Sequence, residues 1–175
     1  GDLTAILIGD VFERLAQIPT ASVDCCVTSP PYWGLRDYDV AGQIGLEPTL
    51  AEHLDVMVRV FREGWRVLKP QGTLWLNYGD CYATSPNGRS AADVKTLGTD
   101  DRTLRDKPFS TIGGALKPKD LCMIPNRLAI ALQEDGWWVR SEIIWHKPNP
   151  RPESVYDRPT VAHEKIWLLT KGEDY

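Results

Sequence analysis

The chain has 175 residues, of which 42% are hydrophobic and 25% are charged, a composition typical of one soluble globular domain. Its apolar runs are too short to span a membrane, and its first residues lack the pattern of a secretory signal. The formal net charge of −4 does not indicate a nucleic-acid binder, although a local basic surface is compatible with it.

Hydrophobic patterning in the first half of the chain predicts alternating strands and helices. Short apolar runs predict strands at residues 3–8, 22–28 and 73–77. Asp10 and Thr49, each followed three residues later by a glutamate, predict the starts of two helices. The second helix has one continuous apolar face and lies between two strands, which is typical of a parallel pair joined by a right-handed crossover.

The second half begins with an irregular stretch. Residues 83–120 contain few large apolar side chains, which predicts either a mobile surface insertion or a loop that orders on a ligand. After it, Pro125 opens a helix that Gly136 ends, and strands are predicted at residues 137–145 and 164–170. The whole pattern indicates a single α/β domain with helices packed on the faces of a sheet.

The cysteine and tryptophan residues of the predicted strands are expected to be structural. The four cysteines have no CxxC spacing, so we expect neither a disulfide framework nor a metal site, and we predict a reducing, cytoplasmic location. Cys25 and Cys26 should pack within their strand, since free cysteine is among the most buried residue types. Trp145 and Trp167 are likewise expected to pack in the core.

The strand at residues 22–28 runs directly into a polar and aromatic segment, namely Ser29, Pro30, Pro31, Tyr32 and Trp33. In open α/β sheets, ligands bind beyond the carboxyl ends of the strands. The two prolines remove two backbone donors and leave carbonyls that only accept, beside a hydroxyl and two flat rings. This combination suits a planar group with an N–H donor, such as the amino edge of a nucleobase. The four residues 29–32 alone equally indicate a strand ended by a proline turn.

Together with other segments, these residues resemble the amino-methylating DNA methyltransferases of bacteria and phages, in the permuted subgroup whose catalytic tetrad lies near the N-terminus. The resemblance is carried by residues 7–12, 21–24, 28–33, 72–77, 117–121, 140–152 and 163–171. It implies an α/β, Rossmann-like S-adenosylmethionine-dependent methyltransferase fold, with a mostly parallel sheet, helices on both faces and a C-terminal antiparallel strand. It also implies methyl transfer from S-adenosylmethionine to the exocyclic amino group of a flipped-out DNA base.

The resemblance implies roles for individual residues. Ser29, Pro30, Pro31 and Tyr32 would form the catalytic tetrad, in which the Ser29 hydroxyl and the Pro30 carbonyl accept the amino hydrogens and Tyr32 stacks on the base. Asp10 resembles the acidic residue that meets the cofactor's adenine, although a plain helix N-cap also explains it. The implied DNA contacts are Trp33, Lys147, Asn149 and Arg151. No metal is expected to take part.

The identity of the target base and the completeness of the domain follow from two further features. Serine at the first tetrad position favours cytosine N4, whereas adenine-specific relatives more often have aspartate there. The F-x-G-x-G turn that the family uses at the cofactor's methionine end is not found in residues 1–175. We therefore expect a partial catalytic domain, from a fragment or a truncated gene product, that by itself binds S-adenosylmethionine weakly or not at all.

Three alternatives stay open at this point. The target could be adenine N6, the chain could be a non-catalytic DNA-binding remnant or subunit, or the enzyme could act on a protein glutamine or RNA. The partners implied by the resemblance are double-stranded DNA and, in a restriction-modification system, a restriction endonuclease. The implied location is the cytoplasm of a bacterial cell, in association with the nucleoid. No membrane partner is expected, and the sequence does not determine the oligomeric state.

Overall fold

The computed structural model describes residues 4–84, 109–150 and 152–175. These residues form an α/β arrangement with three helices and four strands. The helices are α1 (Val11–Leu15), α2 (Leu50–Val67) and α3 (Ile124–Glu134), and the strands are β1 (Val23–Thr28), β2 (Leu68–Tyr78), β3 (Trp138–His146) and β4 (His163–Thr170). No helix in this part of the chain is long and apolar enough to cross a membrane.

Both predicted helix starts are confirmed. Asp10 Oδ1 accepts hydrogen bonds from the backbone N–H groups of Phe12 and Glu13, at 2.9 and 3.3 Å, and so caps α1. The Thr49 hydroxyl accepts from the Glu52 N–H at 3.2 Å, while the Glu52 carboxylate accepts from the Thr49 N–H at 2.9 Å, which completes a capping box for α2. These caps satisfy donors that a helix leaves unpaired in its first turn.

The four strands lie side by side in the order β1-β2-β4-β3. β1 and β2 are parallel and α2 connects them, as the strand–helix–strand pattern predicts. β4 is antiparallel to both β2 and β3, so only one of the three strand pairs is parallel. The expectation of a mostly parallel sheet is therefore met only in part. The reason is that β3 and β4 are joined by a loop, without the helical crossover that parallel strands need.

The helices contact one another in the described part of the chain. Both α1 and α3 pack against α2. Residues 4–8, which the apolar run predicted to be a strand, are not in a strand, and Ile6 and Ile8 are 84% and 86% exposed. An apolar run becomes a strand only when a neighbour completes its hydrogen-bond ladder, and no described strand lies beside this segment.

The core lies between the helices and one face of the sheet. Side chains of β2 and β4 that face the helices are buried, with contributions from α2 and α3, as in Leu74, Leu76, Leu169, Met57, Phe61, Leu128 and Leu132. Trp167 belongs to this core, as expected. Trp145 does not, because it lies near the end of β3 with its side chain 47% exposed, and the expectation that it packs inside is wrong.

Helix α3 offers a matched test of this packing. Leu132 is fully buried, whereas Ile130 in the same helix is 55% exposed. Leu132→Ala should lower the free energy of unfolding by about 2–5 kcal/mol, because it removes buried methyl groups and leaves a cavity. Ile130→Ala should change it by about 0.5 kcal/mol or less. Urea denaturation followed by tryptophan fluorescence measures both, and equal effects would contradict the packing of α3.

Candidate active site

The parallel pairing of β1 with β2 brings two polar strand ends together. Thr28 lies opposite Leu76 in the register, so the segment that begins at Ser29 lies beside the segment that begins at Asn77. A hydrogen bond joins the two strand ends directly, since the Tyr32 hydroxyl donates to Asn77 Oδ1 at 3.1 Å. The carboxyl ends of parallel strands are where α/β sheets bind ligands, and this is such an edge.

A chain of hydrogen bonds fixes which groups of the tetrad can accept. The Tyr32 hydroxyl has one proton and donates it to Asn77, so in its 3.2 Å contact with Ser29 Oγ the serine is the donor. Asn77 Nδ2 continues the chain by donating to Glu164 Oε2 at 3.2 Å and to the Lys165 carbonyl at 3.1 Å. Ser29 Oγ therefore accepts no proton from Tyr32, and its lone pairs stay available on an exposed residue.

The Tyr32 ring is held between two features of the end of β2. Its centroid lies 4.8 Å from that of Tyr78, and the backbone of Gly79 approaches its edge so closely that a Cβ at position 79 would lie 2.5 Å from Tyr32 Cε2. Burial raises the pKa of the Tyr32 phenol above its ordinary value, while the hydrogen bond with Ser29 acts in the opposite direction. Glycine at position 79 therefore makes room for the half-buried tyrosine.

Beneath the tetrad lies a buried set of polar side chains that the sequence did not single out. The Tyr78 hydroxyl contacts the Trp33 N–H, the Pro31 carbonyl and the imidazole of His53, which in turn contacts Glu47. Burial lowers the pKa of His53, and the hydrogen bond and charge of Glu47 oppose that shift. Burial also raises the pKa of Tyr78 far above its ordinary value, so its hydroxyl stays protonated.

Trp33 belongs to the core and not to an accessible surface. Its side chain is 3% exposed, its indole Nε1 donates to the Glu47 carbonyl at 2.9 Å, and its ring packs 5.6 Å from that of Phe109. The sequence suggested Trp33 as a DNA contact. The structure corrects this assignment, because a ring enclosed by protein atoms cannot stack on a ligand.

Asp10 and the first three residues of the tetrad border the same cavity, which has a volume of about 1000 Å³. Ser29, Pro30 and Pro31 line it at the end of β1, and its floor is the apolar face of α2. Asp10 Oδ1 is occupied by the helix cap, whereas Oδ2 accepts no hydrogen bond from the residues that the structure describes. A cavity of this size, mostly apolar with a few polar groups at its edge, is typical of small-molecule and cofactor sites.

The residues suggested as DNA contacts lie beyond the end of β3. Lys147 Nζ pairs with Glu164 Oε1 at 2.8 Å and lies 3.9 Å from the centre of the Trp145 ring. Since Glu164 also accepts from Asn77, this pair connects the proline-rich loop to the tetrad. Asn149 is exposed, and Arg151 lies outside the described residues. The structure thus brings Lys147 close to the tetrad, and the roles in DNA binding stay predictions.

Both cysteines of β1 also line this cavity. Cys25 is exposed, so the expectation that it packs in the strand is wrong, whereas Cys26 is half-buried and burial raises the pKa of its thiol. Asp80 Oδ1 accepts the N–H groups of Cys81 and Ile124, at 2.9 and 3.1 Å, and so ties the end of β2 to the start of α3. In the described part of the chain, His, Cys, Asp and Glu side chains form no group that could hold a metal ion.

Curated relatives match almost the whole chain. Residues 23–175 fit the family model N6_N4_Mtase, described as DNA methylase. The Type II methyltransferase M.Cfr9I of Citrobacter freundii is 52% identical over 167 residues, which cover 95% of this chain and 54% of the relative. M.SmaI of Serratia marcescens is 49% identical over 170 residues, which cover 97% of this chain and 56% of the relative. The chain therefore spans about half the length of these relatives.

Solved structures match the fold over a similar extent. A protein of Thermus thermophilus, assigned as a DNA modification methylase and solved with S-adenosyl-L-methionine, is 27% identical with a TM-score of 0.60. The match covers 96% of this chain and 55% of that one. The PvuII DNA methyltransferase, described as cytosine-N4-specific, has a TM-score of 0.63 at 18% identity and covers 95% and 49% of the two chains. At that identity, the second match shows the fold alone.

The close approach of Gly79 to Tyr32 generates a prediction about the phenol. Gly79→Ala should push the flexible Tyr32 ring toward solvent, so the pKa of Tyr32 should fall back toward its ordinary value of about 10. Titration of ¹³Cζ-labelled tyrosine by NMR measures this pKa in both proteins. Gly172→Ala is the matched control, because nothing lies within 4 Å of a Cβ placed there.

The raised pKa also predicts how stability depends on pH. Folded Tyr32 keeps its proton to higher pH than the unfolded chain does, so its contribution to stability is complete below a pH of about 10 and is lost as pH rises further. In Gly79→Ala this loss should be smaller. An unchanged Tyr32 titration in that variant would show that the ring does not lie against Gly79.

Proposed function

Because the chain belongs to the N6/N4 DNA methylase family, we propose that it forms the catalytic part of an enzyme that methylates an exocyclic amino group in double-stranded DNA, with S-adenosylmethionine as methyl donor. The observation that carries this proposal is the shared cavity. Ser29 and Pro30 border it at one strand end and Asp10 borders it at the start of α1. The proposed acceptors for an amino group and the proposed carboxylate for the cofactor thus border the same cavity.

The tetrad supplies what methylation of such an amine requires. The lone pair of an exocyclic amine is delocalised into the ring, so acceptors must bind both amino hydrogens and bring the nitrogen out of conjugation. Ser29 Oγ and the Pro30 carbonyl are the proposed acceptors. The Tyr32 ring would stack on the base, which must first be flipped out of the duplex.

The residues around the cavity fit the cofactor. Its apolar floor suits the adenosyl group, and Asp10 Oδ2 could accept from the adenine amino group while Oδ1 continues to cap α1. When bound, S-adenosylmethionine supplies an electrophilic methyl group on a sulfonium centre. The amino nitrogen forms a bond to this carbon as the carbon–sulfur bond breaks with its electron pair on sulfur, and the amino proton is released to water. No covalent bond to Cys25 or Cys26 is needed.

Cytosine N4 is the proposed target, because serine is the first residue of the tetrad. Adenine N6 is the alternative.

We further propose that Lys147, Asn149 and Arg151 contact the DNA backbone, since a proline-rich loop holds such side chains at little cost in conformational entropy. Trp33 has no place in this contact because it is buried. A restriction endonuclease partner and a cytoplasmic, nucleoid-associated location follow from the family context and are proposed with it.

The function and the target base can be tested together. The protein expressed from its complete reading frame is incubated with duplex DNA and S-adenosylmethionine, and the DNA is digested to nucleosides for mass spectrometry. We expect N4-methylcytosine, whereas N6-methyladenine would identify the alternative target. Tyr32→Ala should slow transfer by about 10- to 100-fold with little change in duplex binding, because it removes the stacking surface.

Tyr175→Ala, a substitution at an exposed ring away from the cavity, serves as the control for Tyr32→Ala. The chain can also be supplied in trans with the cofactor-binding half of a relative. If it then binds duplex DNA but transfers no methyl group, the result would support the alternative that it is a non-catalytic DNA-binding remnant. Normal transfer by Tyr32→Ala would show that the base does not bind at the tetrad.

The two roles of Asp10 can be separated by a substitution that keeps the helix cap. Asparagine caps a helix about as well as aspartate, so Asp10→Asn should leave the melting temperature unchanged. It removes the carboxylate, so the dissociation constant for S-adenosylmethionine should rise by about tenfold or more, as for loss of a charged hydrogen bond. Isothermal titration calorimetry on the protein expressed from its complete reading frame measures the affinity. An unchanged affinity would restrict Asp10 to capping.

A further inference from the structure

A buried hydrogen-bond network supports the tetrad from below. It consists of Glu47, His53 and Tyr78, which we call the positioning relay. His53 and Tyr78 are fully buried, and the Glu47 side chain is 12% exposed. His53 Nδ1 lies 2.8 Å from Glu47 Oε2, and His53 Nε2 lies 2.6 Å from the Tyr78 hydroxyl. These side chains come from a loop, from α2 and from the end of β2, so the relay connects three parts of the fold.

The relay acts on the backbone on both sides of Tyr32. The Tyr78 hydroxyl lies 3.1 Å from the Pro31 carbonyl oxygen and accepts from the Trp33 N–H at 3.0 Å. These two backbone groups flank the tyrosine of the tetrad, so one phenolic oxygen sets the orientation of both its neighbouring peptide units. Glu47 adds further ties, because its carboxylate accepts the Gly45 N–H at 3.0 Å and its carbonyl accepts from the Trp33 indole.

The protons of this network can be placed in two ways. A phenol has one proton, so Tyr78 donates either to the Pro31 carbonyl at 3.1 Å, with His53 Nε2 as donor to Tyr78, or to His53 Nε2 at 2.6 Å. The contact between His53 Nδ1 and Glu47 needs a proton between the two atoms in either case. In both arrangements the Tyr78 oxygen lies within hydrogen-bond distance of the Pro31 carbonyl, the Trp33 N–H and His53 Nε2.

We propose that Glu47, His53 and Tyr78 are positioning residues for methyl transfer, in which the Tyr78 hydroxyl holds the two peptide units that flank Tyr32. This inference rests on the function proposed above for the tetrad. The relay touches no substrate atom. It acts through the peptide units around Tyr32, which hold the Pro30 carbonyl and the Tyr32 ring in the arrangement that an amino group and its base require.

The protonation of His53 can be measured without any assay of activity. In protein labelled with ¹⁵N-histidine, long-range ¹H–¹⁵N correlation spectra report which ring nitrogens carry protons, and His53→Gln assigns the His53 signals among the three histidines. We expect a proton on His53 Nδ1 in the wild-type protein, donated to the Glu47 carboxylate. A His53 ring with an unprotonated Nδ1 would overturn the proposal, because Glu47 would then accept no hydrogen bond from His53. This result stands whether or not the protein transfers methyl groups.

Kinetics test the positioning role itself. Tyr78→Phe keeps the ring that packs on Tyr32 but removes the hydroxyl, so kcat should fall by about 10- to 100-fold, as for a small misplacement of reacting groups. The KM values for DNA and for S-adenosylmethionine should change little, because the relay contacts neither. Tyr175→Phe, which removes a hydroxyl from an exposed tyrosine, should leave both parameters unchanged.

The same variants separate positioning from simple stabilisation. Rates are normalised to folded protein by circular dichroism, so a variant that only unfolds more easily would keep its kcat per folded molecule. An unchanged kcat in Tyr78→Phe would overturn the positioning role. If the wild-type protein itself transfers no methyl group, the proposed function fails, while the His53 spectra still decide whether the relay exists as described.

Discussion

The parallel pairing of β1 with β2 is the constraint on which the site depends. The register that sets Thr28 opposite Leu76 brings the tetrad beside the end of β2, where Asn77 accepts from Tyr32. A slip of one residue would turn the side chains of one strand to the opposite face and would separate these groups. The long helix α2 between the two strands makes the parallel arrangement possible, and its buried face anchors the pair to the core.

The tetrad lies between two hydrogen-bond systems of different character. The outer one runs from Ser29 through Tyr32 and Asn77 to Glu164, and it leaves the lone pairs of Ser29 Oγ available. The inner one connects the tetrad's backbone through Tyr78 to His53 inside the protein. Buried polar groups are costly unless they are paired, so the inner system is rigid where it is satisfied. A site for an amino group requires a rigid backbone beneath the tetrad and acceptors on the tetrad that stay available.

Several features of this arrangement could be predicted locally, and others could not. The N-caps at Asp10 and Thr49 depend on groups within three residues of each other, so sequence alone located them. The tetrad's position at a strand end followed from prolines that cannot continue a ladder. The exposure of Cys25 and Trp145 and the burial of Trp33 were predicted wrongly, because residue type gives only an average tendency for burial. Neighbouring elements decide each individual case.

The sequence by itself determined the class of fold, the long capped helix, the tetrad at a strand end and the family resemblance, since all of these depend on patterns within short segments. Only the tertiary structure revealed that Asn77 orients the Tyr32 proton, that Gly79 makes room for its ring, and that His53 lies beneath it. These contacts join residues far apart in the chain. A hydrogen bond needs its donor and acceptor within about 3 Å, and only the folded sheet sets such distances.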